Sequence, residues 1–324
     1  MWPLFFLICF GLGYAALNRY DPRQKLPDAA VYAQIATNGP RAAPNHLRFR
    51  ILVPSLAREV YAIANGHTGS WDPLMFSFLV VNASFVASTA YLLLRVGTAI
   101  INRPVALLAS AFYLLNFAIA NVHLAGLVDA AEAFFLMALV VSLFYEKWWL
   151  LPVICVFGTL AKESFVPFSI ATALSWILAS ERKSRRGWSW IVVTAAVELL
   201  TLIALQAAIA GHVIWPWQFL SSMGSETSYG MNLLHSLVDR NSWYILIWLV
   251  PLGLAGMRAL PRPWIWSAGA AVLIALLLNA YHSTVGGGGG GIGRYVFDVA
   301  GPLLSLSAAA YLSGASEKQS TSAG

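Results

Sequence analysis

Residues 73–94 read PLMFSFLVVNASFVASTAYLLL, running from Pro73 to Leu94 without one charged side chain. A helix crosses the hydrocarbon core of a bilayer with roughly 17–25 mostly apolar residues. This run meets that length, and it has counterparts on both sides. Candidate spans are Trp2–Leu17, Pro104–Ala120, Leu127–Tyr145, Trp148–Leu160, Ser164–Leu178, Trp188–Ala210, Ser242–Met257, Trp264–Tyr281 and Tyr295–Leu312. Trp148–Leu160 and Ser164–Leu178 are short for spanning elements. The pattern predicts an all-α fold: a polytopic transmembrane helical bundle of about ten spans.

Composition agrees. Of 324 residues, 59% are hydrophobic and only 10% charged, with a mean hydropathy of +0.68. A soluble domain carries about a quarter charged residues, so much of this surface faces lipid. Thirteen tryptophans suit rings held at the headgroup boundary. The net charge of +6 is modest and no nucleic-acid partner is expected. Cys9 and Cys155 lie inside apolar runs, away from any disulfide or thiolate metal pattern. Trp2–Leu17 has neither a basic leader nor an Ala-x-Ala site, and reads as a retained span.

Orientation follows from Lys and Arg in the short connections. Arg182, Lys183, Arg185 and Arg186 mark one such connection as cytoplasmic, which puts both termini inside. The expected organisation is one transmembrane domain over residues 1–313, with a disordered cytoplasmic tail at 314–324. All six histidines (46, 67, 123, 212, 235 and 282) then fall outside, with most of the acids. The first loop, residues 18–72, breaks the charge rule by carrying Arg19, Arg23, Lys25, Arg41, Arg48, Arg50 and Arg58 outside. Long loops translocate regardless of charge. These cations are therefore free to serve something anionic.

That loop has internal order. Pro27 followed by Asp28-Ala-Ala-Val-Tyr32 predicts a short helix ending at Asn38-Gly39. A second helix is expected from near Arg50 to Asn65-Gly66. Its stripe of Leu52, Leu56, Val60 and Ile63 suits the membrane interface.

Asp28-x-x-x-Tyr32-x-x-Ile35-Ala36, then Arg48-Phe-Arg50-Ile-Leu-x-Pro54, resembles the first loop of the GT-C superfamily of polytopic membrane glycosyltransferases. Val128-Asp129-Ala-Ala-Glu132, Leu160-Ala-Lys162-Glu163-Ser164 and Gly293-Arg294-Tyr295 followed by Gly301-Pro302 carry the same resemblance on to Pro302. It implies an enzyme of the protein mannosyltransferase or aminoarabinose transferase kind, in a bacterial inner (plasma) membrane. Such an enzyme transfers sugar from a polyprenyl-phosphate donor to a lipid or glycan acceptor on the extracytoplasmic face. Asp28 would be its catalytic carboxylate.

The chemistry sets its own requirements. A departing phosphate needs cations in a partly desolvated site, and Arg48, Arg50, Lys162 and Arg294 are the external cations nearest the membrane. Asp129, Glu163 and Tyr295 complete the candidate substrate-binding set. Asp129 and Glu132, three residues apart on one helix face with His123 nearby, make a divalent cation a candidate cofactor. Blander readings stand beside these. Asp28 suits a helix N-cap. Lys162 and Glu163 suit a local ion pair. Glu198, deep in its span, suits a packing role. The glycine run Gly286–Gly291 suits a loop without mechanism. The rival functions are a transporter or lipid flippase, and a non-catalytic cell-envelope assembly protein; no internal repeat favours transport.

Overall fold

The computed structural model describes residues 1–17, 21, 23, 26–43, 46–181, 185–215, 218, 229–281 and 291–314. Arg19, Lys25, Arg182, Lys183, Glu226, His282, the glycines at 286–290 and the tail from 315 onward lie outside that set. The described residues are all-helical, without a strand. Five helices are long and apolar enough to cross a membrane, and four shorter apolar helices accompany them. The chain is a helical membrane protein.

Chain-breaking and capping residues explain where the elements start. Helix α1 covers Trp2–Leu17. Helix α2 covers Pro27–Asn38, with Pro27 in its first turn and Gly39 beyond its end at φ 86°, a conformation that favours glycine. After a short 3₁₀ turn at His46–Phe49 comes α3, Leu52–Ala64. Asp72 caps α4, Pro73–Ile100, by accepting from the amides of Leu74 and Met75 at 2.9 and 3.1 Å. Asn102 caps α5, Arg103–Leu114, in the same way. The expected span Pro104–Ala120 therefore breaks after Leu114. The amide of Ala118 then turns back to Asn116 Oδ1, and a single π turn occupies Ile119–His123.

The second half continues with α6 (Asp129–Phe144), α7 (Leu150–Ala161), α8 (Phe165–Ala179) and α9 (Arg185–Ala210). Short helices α10 (Tyr229–Val238), α11 (Arg240–Leu246) and α12 (Leu249–Gly256) lead to α13 (Arg262–Tyr281) and α14 (Gly291–Leu312). Helix α4 packs against α1, α3, α5 and α6, while α14 packs against α5, α12 and α13. Where α12 meets α14, a Cβ added to Gly256 would lie 1.8 Å from the Ser307 carbonyl oxygen, so the backbones touch. Apolar side chains such as Val192, Leu200, Trp266 and Leu277 remain exposed on the outer faces of α9 and α13. Lipid is the solvent that suits them.

Candidate functional site

The site begins with a tight turn. Helix α7 ends at Ala161, Lys162 takes an extended conformation (φ −163°), and α8 opens at Phe165. Gly158 permits this, because a Cβ there would stand 2.4 Å from the Phe165 ring. Lys162 and Glu163 consequently point to different partners. They do not form the local ion pair that their adjacency suggested.

Lys162, 1% exposed, directs its ammonium into α6. Nζ donates to Asp129 Oδ1 at 2.8 Å and to Glu132 Oε2 at 2.5 Å, and lies 3.8 Å from Asp298 Oδ2. Ser164 Oγ donates to the other Glu132 oxygen at 2.5 Å. The ammonium also stands over the Tyr295 ring, 5.1 Å from its centroid. From α14, Arg294 donates through Nη2 to Asp129 Oδ2 at 2.6 Å and through Nε to Oδ1 at 3.2 Å. Asp298, one turn on, meets His123 Nε2 at 2.8 Å. Pro302 has no N–H to offer the Asp298 carbonyl, which leaves α14 locally unbonded one turn below the site.

A second knot adjoins the first. Arg50 donates to Glu163 through both Nε and Nη2, with Nε at 2.8 Å from Oε2, and through Nη1 to Tyr32 OH at 2.8 Å. Burial by itself would raise the Glu163 pKa, but the Arg50 charge and hydrogen bonds outweigh it and hold the carboxyl at about 2. The Tyr32 hydroxyl, fully buried, is pushed upward. Four carboxylates (Asp129, Glu132, Glu163, Asp298) thus face three permanent cations (Arg50, Lys162, Arg294). His123 Nε2 lies against Asp298, the fourth of these acids.

Asp28 sits apart from this neutralised core and close to it. The N-cap position of α2 belongs to Leu26, so Asp28 lies within the first turn and makes no capping bond. It is half-buried and has no hydrogen bond or ion pair among the described residues. Tyr32, one turn later on the same helix, feels its charge. Arg48 is half-buried, with its guanidinium 4.9 Å from the Phe49 ring centroid. Its Nε has no hydrogen-bond partner among the described residues.

Of the residues singled out from sequence, Arg50, Asp129, Lys162, Glu163, Arg294 and Tyr295 therefore come together. Asp28 borders the group through Tyr32, whereas Arg48 turns its guanidinium to the Phe49 ring. Tyr32, Ser164 and Asp298 were not anticipated. The Arg294/Asp298 spacing, i and i+4 on one helix face, was the available signal for the last. Glu198 lies elsewhere, accepting from Ser169 Oγ at 2.6 Å.

Asp129, Glu132 and Asp298 bring carboxylate oxygens within 4.8 Å of one another, a grouping able by distance to hold a metal ion. The Lys162 ammonium already lies among those oxygens, within hydrogen-bond distance of Asp129 and Glu132 and 3.8 Å from Asp298. The donor set as folded fits a monovalent ammonium, and a divalent ion would have to displace it. Compared with known proteins, the chain matches no family model, no curated protein and no solved structure.

Proposed function

We propose that this protein is a GT-C-like glycosyltransferase, moving a sugar from a polyprenyl-phosphate donor to a lipid or glycan acceptor at the extracytoplasmic face. One observation carries the reading. An ion-pair network drawn from the first loop, α6, the α7–α8 turn and α14 is buried beside Asp28, a carboxylate left without a partner among the described residues. Among the described residues the neighbouring acids are paired and this half-buried aspartate is not, which supports reading it as the acceptor of an incoming proton.

In the reaction the acceptor hydroxyl oxygen attacks the anomeric carbon, and Asp28 takes the hydroxyl proton. The bond from that carbon to the phosphate oxygen breaks, releasing polyprenyl phosphate. We assign the departing phosphate to Arg48, which lacks a carboxylate partner among the described residues, and to Arg294, the network cation with the most accessible side chain (12%). Arg50 and Lys162 act from behind by fixing Glu163, Asp129 and Glu132. The apolar stripe of α3, with Leu56 and Ile63 exposed, gives the donor's isoprenoid an interfacial surface.

The test is turnover by purified protein in nanodiscs, followed as release of polyprenyl phosphate from polyprenyl-phosphate sugars. Release that vanishes in Asp28→Asn and falls in Arg48→Gln supports the reading. Release that persists in Asp28→Asn removes Asp28 from the mechanism. Movement of the intact sugar lipid across the bilayer without cleavage would assign the protein to transport instead.

A further inference from the structure

A second polar concavity lies where α1 ends and α4 begins. Its volume is about 280 Å³, and its lining includes Tyr14, Asp21, Arg23, Ser70, Trp71 and Asp72. That is close to the lower end of small-molecule sites, roughly 300–1,000 Å³, and suits a ligand of one ring. The aromatic wall is fixed in place. Tyr14 and Trp71 stack at 4.5 Å between centroids, and Phe76 meets Trp71 edge-on at 5.8 Å.

The polar wall is one guanidinium between two carboxylates. Arg23 Nη2 lies 2.7 Å from Asp21 Oδ2 and 2.6 Å from Asp72 Oδ2, and Nε reaches both Asp21 oxygens at 3.0 Å. These side chains are 28–35% exposed, so their remaining donors and lone pairs are open to an occupant. Hydrogen bonds from Arg23, with its charge behind them, hold the Asp21 carboxyl below its ordinary range, which keeps it an acceptor.

This arrangement discriminates among ligand classes. A phosphate meets two carboxylates against one cation and is repelled. An ammonium finds both carboxylates already bridged by Arg23. A hydroxyl group is both donor and acceptor, so it can bond to a guanidinium and a carboxylate side by side without displacing either.

We propose that this cavity binds a neutral, hydroxyl-rich ligand of monosaccharide size, with Asp21 and Arg23 reading its hydroxyls beside the Tyr14–Trp71 wall. The assignment does not depend on the glycosyltransferase reading. The cavity is nevertheless near that site, because Met75 on its wall reaches Gly126, where Ala29, next to Asp28, also converges.

The full chain in phospholipid nanodiscs, free of glucoside and maltoside detergents, is titrated calorimetrically with methyl glucoside, methyl mannoside, methyl galactoside and N-acetylglucosamine. Glucosamine and glucose 1-phosphate serve as charged comparisons. Expected is saturable binding of at least one neutral sugar, on the order of 1 mM, weakened about tenfold or more in both Asp21→Asn and Arg23→Gln. Asp72 is left intact because it caps α4. An exposed pair contributes little to folding, so both variants keep the wild-type melting temperature. Failure of every neutral sugar to saturate, tighter binding of either charged sugar, or unchanged binding in either variant overturns the proposal.

Discussion

The Lys162 ammonium stands 2.8 Å from Asp129 Oδ1, although 33 residues separate the two in sequence. Neither end of this pair is exposed, so its energetics are those of buried charge: desolvation opposes it and mutual attraction with well-placed hydrogen bonds offsets that cost. Removing one partner leaves the buried charges around it unevenly compensated. Several consequences can be measured.

Lys162→Met leaves Glu132 without a cation and Asp129 with Arg294 alone, and should destabilise the fold by roughly 3–5 kcal/mol. Adding Glu132→Gln to the same chain should recover part of that loss. Thermal unfolding of the wild type, both single variants and the double variant checks this as a cycle. Strictly additive losses would show that the two side chains do not interact.

The pairing of Glu163 with Arg50 predicts a pH dependence. Its folded pKa, about 2, lies below its ordinary 4.5. A depressed carboxylate contributes stability that is fully present above the ordinary value and disappears as pH falls through the folded one. The melting-temperature gap between wild type and Glu163→Gln should therefore hold steady from pH 7 to about 5 and close towards pH 2. A gap that widens on acidification contradicts the assignment.

Asp28→Ala should leave stability within about 0.5 kcal/mol of wild type, since no hydrogen bond or cap among the described residues is lost. Asp129→Ala, which strips Lys162 and Arg294 of a shared acceptor, should be strongly destabilising. Comparing the two melts separates a residue kept for chemistry from one that holds the site together. A large loss in Asp28→Ala would give it a structural role.

Backbone contact between α12 and α14 makes Gly256→Ala costly, about 1–3 kcal/mol or more, because its Cβ would meet the Ser307 carbonyl. Gly11→Ala in α1 meets nothing within 4 Å and should be neutral or stabilising by up to about 1 kcal/mol. Melting temperatures of the pair would rank opposite to their shared chemistry if the seam is as close as described.

The sequence by itself determined the helical membrane class, because the absence of charge over spans such as Pro73–Leu94 is a local property that lipid enforces residue by residue. It also determined the short helices at Pro27–Asn38 and Leu52–Ala64, whose ends are set by proline and glycine nearby. Asp129, Lys162 and Arg294 were legible as polar residues in the wrong solvent. Their pairing was not. Sequence adjacency favoured Lys162 with Glu163, whereas the extended turn sends one to Asp129 and the other to Arg50. Only tertiary structure decided which acids are neutralised and that Asp28 makes no cap. Ion pairing depends on distance in space and on burial, and neither is encoded in the spacing of residues along one helix.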